Sequence, residues 1–482
     1  MNRRDYLSLI GVGGVAASLS GCDGLRARFA PLHAPEAAAL RLPPRVNVAP
    51  AARLLNRAGF GPTPGDIARM TAMGRDSWLE QQLSAPTDDA DESPALRLRL
   101  RESQTLAAGS PVDLEDFGER DVLIELQRAA ILRAVYSPWQ VRERMADFWT
   151  NHFNIYGHKN LGAFLKTADD IVVVRSHALG TFPDMLRASA HSPAMLGYLD
   201  NQQNRKGVPN ENYARELMEL HTLGVKGGYT QTDVQEVARC LTGWTVEDRF
   251  LHRKGSFRFD ATRHDDGPKT VLGIAIPAGG GESDGDRVLD ILAAHPATAR
   301  HIAQKLVGHF VGGDSPRLAT HVADIYIKTA GSIPAMLRTI LTSPEFAASP
   351  PVLKRPLDFL VSSLRAVNAE TNGGTHLQTH LANMGQPLFQ WPMPDGYPDR
   401  TGAWTGTLLH RWNFAFALAS GGIRGTTASL PADRSVDAHL EQILGCRAAD
   451  ASVAGLRATL AGITDSAEQT ALLLASPTFQ WR

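Results

Sequence analysis

The chain has 482 residues, with 49 Lys+Arg against 50 Asp+Glu, 43% hydrophobic and 21% charged residues, and three cysteines. A net charge of −1 lacks the basic excess that non-specific phosphate binding requires, so no nucleic-acid partner is expected, and the apolar content excludes a disordered chain. Three cysteines cannot make a disulfide scaffold or a four-thiolate zinc site, and the sequence has no CxxC pair and no HExxH helix.

The chain opens with Arg3-Arg4, then Asp5-Tyr6-Leu7 and a Gly/Ala-rich apolar run that ends in Leu19-Ser20-Gly21-Cys22. The run is too short to span a bilayer, which needs about twenty apolar residues. Residues 1–21 read as a twin-arginine signal peptide of the lipoprotein type, with Cys22 the acylated first residue of the mature chain. Asp23 resembles a signal that retains lipoproteins in the inner membrane. Export by this route places the protein, membrane-anchored through Cys22, in the periplasm or at the cell surface. Because the route carries folded and often cofactor-loaded proteins, a divalent metal is an open expectation. Cys240 and Cys446 then read as buried thiols rather than a disulfide.

Residues 22–50 are rich in Ala and Pro and read as a tether. From residue 51 to 482 the pattern is that of one large, mainly helical domain, with helix starts marked along it. Thr63-Pro64-Gly65-Asp66 offers an N-cap with proline at the first position, and Ser137-Pro138-Trp139-Gln140 a capping box. Ser192-Pro193 and Ser343-Pro344-Glu345 resemble them. Strand signals are confined to residues 250–276, where Phe257-Arg258-Phe259 alternates and Thr270-Val271-Leu272 precedes a glycine; this predicts a small inserted β-hairpin.

Three regions could carry chemistry. On the helix opened at Ser137, Val141, Met145, Phe148 and His152 share one apolar stripe, so His152 is either a satisfied core residue or a ligand, flanked by the carboxamides of Asn151 and Asn154. The second region holds Asp200, Asn201, Asn204 and the run from Asn210 to Gly224. At about 100° per residue, Tyr213, Leu217 and Leu220 face inward with Ala214 and His221, while Arg215, Glu219 and Thr222 point outward. Arg215 and Glu219 then form an i,i+4 surface pair. His221 and the half-buried Glu216 need partners, because unpaired burial costs several kcal/mol. The third region is a helix from Thr230 to Trp244, followed by His264-Asp265-Asp266-Gly267, where an Asp-Gly turn is reason enough for the loop and a metal or catalytic pair at His264-Asp265 is the alternative. No GxSxG elbow, phosphate loop or SxxK is present. The run from Phe389 to Pro398 is either a sugar-stacking rim or a rigid loop packed on a helix from Trp404 to Leu418.

Leu54-Leu55-Asn56-Arg57-Ala58-Gly59-Phe60-Gly61, the run from Phe148 to Asn154, the run from Asn210 to Gly224, Leu241-Thr242-Gly243-Trp244, the loop from His264 to Gly273, the run from His295-Pro296 to Phe310 and Met384-Gly385-Gln386 together resemble the bacterial domain-of-unknown-function 1800 family. The resemblance runs from about Ala51 to Ser420. It implies a mainly helical envelope protein, often beside a partner from the domain-of-unknown-function 1501 family, which resembles sulfatases and phosphatases. It implies no activity.

The function expected from these residues is an envelope lipoprotein that acts on or binds an extracytoplasmic polymer, a glycan first. In a catalytic version Glu216 is the general acid or base, and His152 and His221 orient it or hold a metal; Asn151, Asp200, Asn210, Arg215 and Glu219 contact substrate. The alternative is a non-catalytic binding or assembly partner of the sulfatase/phosphatase-like protein, with the polar cluster cross-bracing helices.

Overall fold

Local side-chain chemistry opens several helices where the sequence places it. Thr230 caps the helix Gln231–Cys240: its hydroxyl accepts from the Asp233 amide at 3.2 Å and the Asp233 carboxylate accepts from the Thr230 amide at 2.8 Å. Asn210 caps Glu211–Glu216, accepting from the Asn212 amide at 2.9 Å, and Ser343 caps Pro344–Ala348. Three expected caps work differently. The Ser192 hydroxyl makes no cap to the helix Pro193–Tyr198 and donates instead to the Asp169 carboxylate at 2.6 Å. The first-turn helix near Thr63 begins only at Asp66, whose carboxylate accepts from Thr63; Gly65 stands at the cap. The helix Gln140–His152 begins after Trp139, and Gln140 reaches back to the carbonyls of Ala134 and Ser137 while accepting from the Phe60 amide.

The chain is seen in a computed structural model that describes residues 50–87, 93–101, 111, 113–114, 116–249, 254–431, 435–446 and 450–482. The twin-arginine segment, Cys22 and the tether to residue 49 lie outside the described residues. All described residues belong to one unit, residues 44–482. Helices dominate it, and the described strands form only two-stranded antiparallel sheets. The fold is mainly α.

The expected single hairpin is two. Trp244–Val246 pairs with Phe257–Phe259, and Lys269–Val271 with Ile274–Ile276. The helix that precedes them therefore stops at Cys240, not Trp244, because Trp244 is claimed by the first ladder. The second hairpin reverses at Leu272-Gly273, both with positive φ (51° and 78°), as a two-residue primed turn demands. The Asp-Gly pair at 266–267 does not make that reversal; Asp265 there accepts from the Gly267 amide at 3.1 Å.

Two large apolar cores lie along the chain. Met145, Trp149, Phe153, Phe182, Tyr213 and Phe310 belong to the first, and Phe60, Leu126, Phe359, Phe414 and Phe479 to the second. A buried ionic cluster joins the Gln140–His152 helix to the helix Pro356–Ala366: Arg144 pairs with Asp358, Arg355 with Asp147, and Arg482 with Asp358 at 3.4 Å. Burial alone would raise the Asp358 carboxyl, but these three guanidinium groups hold it well below the usual range. Cys240 and Cys446 are both free and buried, and burial pushes their thiols up to about 12 and about 11. No helix among the described residues is long and apolar enough to cross a membrane.

Candidate functional site

The residues singled out by sequence fall into three neighbourhoods. The first is a frame of asparagines. Asn201 donates to the carbonyls of Leu241 and Trp244, Asn204 donates to Asn201 Oδ1 and the Ala238 carbonyl, and Asn204 Oδ1 accepts from the Asn210 amide at 2.9 Å. Asn210 also donates to the Asp200 carbonyl at 3.4 Å, and Asn212 to the Leu199 carbonyl at 3.2 Å. Asp200 sits at a left-handed φ of 62° and accepts from Lys159 Nζ at 2.9 Å. Each amide in this frame closes a loop or a helix end.

Asn151 and Asn154 do the same for the aromatic, proline-rich run. Asn151 clasps the backbone of Tyr397, donating to its carbonyl at 2.9 Å and accepting from its amide at 2.7 Å. Asn154 donates to the carbonyls of Trp391 and Met393, and Tyr198 donates its hydroxyl to the Pro392 carbonyl. Gly396 is required here, since a Cβ would lie 2.2 Å from the Asn151 carbonyl oxygen. The run is a pinned loop. Behind it lies a cavity of about 60 Å³ lined by Glu143, Asp147, Asp170 and Arg175 with apolar neighbours. Arg175 chelates Glu143 there at 2.8 and 2.9 Å.

The second neighbourhood is a histidine pocket. After Glu216 the helix widens: residues Leu217–Thr222 are π-helical, with the Leu223 amide donating to the Met218 carbonyl and the Thr222 hydroxyl to the Leu217 carbonyl. The carbonyls at the end of this segment are capped by side chains from elsewhere. His152 Nε2 lies 3.1 Å from the His221 carbonyl, and His301 Nε2 3.1 Å from the Leu220 carbonyl. A carbonyl only accepts, so both rings carry their proton on Nε2 and act as helix C-caps. The His152 ring centroid lies 6.0 Å from that of His221 and 6.3 Å from that of His301. Gly224 allows the approach, because a Cβ there would stand 2.9 Å from His301 Nδ1.

His221 itself is buried, 1% exposed, and among the described residues neither ring nitrogen has a hydrogen-bond partner; His152 Nδ1 also has none there. Burial and the ammonium of Lys305 push the His221 imidazole down to about 3 and His301 to about 4, and hold His152 well below its ordinary value. Lys305, one helical turn beyond His301, is itself lowered by burial, against the pull of Asp399 and Asp395. At neutral pH the three imidazoles are uncharged, and bases this weak are poor proton acceptors. Among the described residues no three of His, Cys, Asp or Glu are placed to hold a metal ion.

The acidic residues form the third neighbourhood. Glu216 is 3% exposed, and with Glu219 it acts on Tyr229, whose phenol is raised by burial and then by the Glu219 charge. The expected Arg215–Glu219 pair is replaced: Arg215 reaches back to Glu211 at 3.0 Å and across to Gln231 at 2.9 Å. The π segment is the reason, since its wider turn takes residue i+4 off the line that an α-helix would keep. It also buries Thr222, which 100° spacing would turn outward.

His264 is a structural residue. Its Nδ1 meets the Thr242 carbonyl at 2.8 Å and its Nε2 the Asp284 carboxylate at 3.3 Å, while Lys269 donates to the same carboxylate at 2.6 Å. Asp265 is held by Arg239 at 2.8 Å.

Beside Asp200 an open cleft of about 710 Å³ is lined by Lys159, Tyr198, Gln202, Gln203, Arg258 and Arg263, among others. Gln202 is half-buried and Gln203 exposed, and neither side chain has a hydrogen bond among the described residues. Sequence reasoning passed over them, and over His301, Lys305 and Lys159. The His301–Lys305 spacing of four on one helix was the readable signal for that pair.

The family profile described as "Protein of unknown function (DUF1800)" matches residues 53–481. The chain belongs to this family. For this DUF1800 protein, neither the curated proteins nor the solved structures provide a match.

Proposed function

We propose that this DUF1800 protein is an exported envelope lipoprotein that binds an extracytoplasmic polymer, a glycan, without processing it. The observation that carries the reading is the cleft beside Asp200, whose lining brings together Gln202, Gln203, Lys159, Arg258, Arg263 and Tyr198. Hydroxyl-rich chains are recognised by such planar donors and acceptors, fixed on a rigid support. The asparagine frame supplies that support. The non-catalytic form is favoured by the neutral, buried histidines, which offer no general base near neutral pH, and by the commitment of Asn151, Asn210 and Asp200 to bracing. The Arg3-Arg4 pair and the Leu19-Ser20-Gly21-Cys22 box support export and acylation.

Affinity electrophoresis through gels containing soluble polysaccharides tests this reading. The parent protein is expected to be retarded by at least one acidic or neutral glycan, and Gln202→Ala/Gln203→Ala to bind it about tenfold more weakly, the loss of two hydrogen bonds. Equal retardation of parent and double variant, or no retardation by any glycan, would overturn it.

A further inference from the structure

The helix Leu408–Ala419 is apolar on both its faces. Its inner face carries Phe414, Ala415 and Leu418 into the second core, and buries Arg411 on the Lys354 carbonyl and Gln480. Its outer face exposes Leu408 (46%), Leu409 (65%), Trp412 (49%) and Phe416 (44%). At about 100° per residue these four fall within an arc of about 100°, so they make one continuous stripe. The nine other exposed large hydrophobics among the described residues are scattered over separate elements, as single apolar side chains on a surface ordinarily are.

Charge along the stretch of chain that carries the stripe is one-sided. From residue 400 to 432 the sequence contains no Asp or Glu, while exposed Arg400 and Arg424 bracket the helix along the chain and exposed His410 lies on it. A protein partner that buried such a stripe would place no demand on a thirty-residue exclusion of carboxylates. An anionic lipid surface does, because like charges near it cost free energy while each nearby Arg gains some. Leu, Trp and Phe on one helix face, with basic residues beside them, are what an interfacial helix inserts at the headgroup level.

We propose that the outer face of the Leu408–Ala419 helix is a membrane-interface contact that seats the body of the protein on an anionic lipid surface. The inference goes beyond the acyl anchor and stands without it. Two weak attachments acting together hold a protein at a bilayer better than either alone.

The test uses the full chain carrying Cys22→Ser, so that acylation contributes nothing, floated with vesicles rich in phosphatidylglycerol or made of phosphatidylcholine alone. The parent is expected to float with the anionic vesicles and less with the neutral ones. Leu409→Ser/Trp412→Ser/Phe416→Ser in the same background should reduce flotation at least tenfold, and Arg400→Gln/Arg424→Gln about tenfold with a weaker dependence on salt. Because the N-terminal segment is common to all variants, any binding it causes cancels in the comparison. Brominated lipids provide a second reading on the parent fold: they should quench emission that Trp412→Phe removes. Flotation unchanged in the triple variant, no quenching of Trp412, or a dimer in analytical ultracentrifugation that the triple variant abolishes would each overturn the proposal.

Discussion

Asn201, Asn204, Asn210 and Asn212 meet the chain with nearly every amide atom spoken for, whereas His221, on the π-helical segment that follows Asn210 and Asn212, and His152, brought in by the Gln140–His152 helix, leave ring nitrogens without partners among the described residues. Both regions are polar and both are buried, so composition does not separate them. The difference lies in what their polar atoms do. In the asparagine frame the side chains replace backbone hydrogen bonds that loops and helix ends cannot make for themselves. In the histidine pocket two rings cap the carbonyls of a π-helical end and the third, His221, is held by packing against Phe153, 5.1 Å between ring centroids. The amides and rings that brace the fold are matched to partners within it, and the proposed binding rests instead on Gln202 and Gln203 at the open cleft.

The sharpest way to break this comparison is to remove an amide from the frame. Asn204→Ala strands the Asn210 amide, the Ala238 carbonyl and Asn201 Oδ1 in a fully buried place, and should lower stability by about 3 kcal/mol, read as a fall in the urea midpoint. A loss below about 1 kcal/mol would mean that the frame is not a brace.

The histidine pocket should respond to pH instead. The unfolded chain protonates each imidazole near pH 6.5, but folded His221 does so only near 3 and His301 near 4. The unfolded state thus binds more protons through that interval, so stability is full above pH 6.5 and is lost as pH falls through it. His221→Leu removes one such proton and no hydrogen bond. It should flatten the acid limb, with a gain on the order of a few kcal/mol near pH 4, and change stability at neutral pH by less than about 1 kcal/mol. An unaltered acid limb would place the titrating groups elsewhere. The smallest effect belongs to the surface: Arg215→Ala, which breaks a pair about 41% and 32% exposed, should cost no more than about 0.5 kcal/mol in the same urea titration.

Much of this architecture is written locally and could be read from the sequence. The caps at Asn210, Thr230 and Ser343, the strand Phe257–Phe259 and the mainly helical class all follow from neighbours a few residues apart. What escaped reading depends on distance. The π turn after Glu216 is imposed by packing, and it moves Thr222 inward and turns Arg215 toward Glu211; a constant 100° advance has no means of showing that. His301 reaches the pocket from eighty residues away in sequence. Asn151 is matched to the Tyr397 backbone, a partner that only the fold supplies.

The buried polar cluster braces the fold, and the proposed glycan binding falls to the neighbouring cleft. Glycan affinity measured by gel retardation on His221→Leu and on Gln202→Ala/Gln203→Ala, beside the parent, tests it most directly. The account predicts parental affinity for the first and about a tenfold loss for the second. Loss of binding in folded His221→Leu with full binding in the glutamine variant would contradict it.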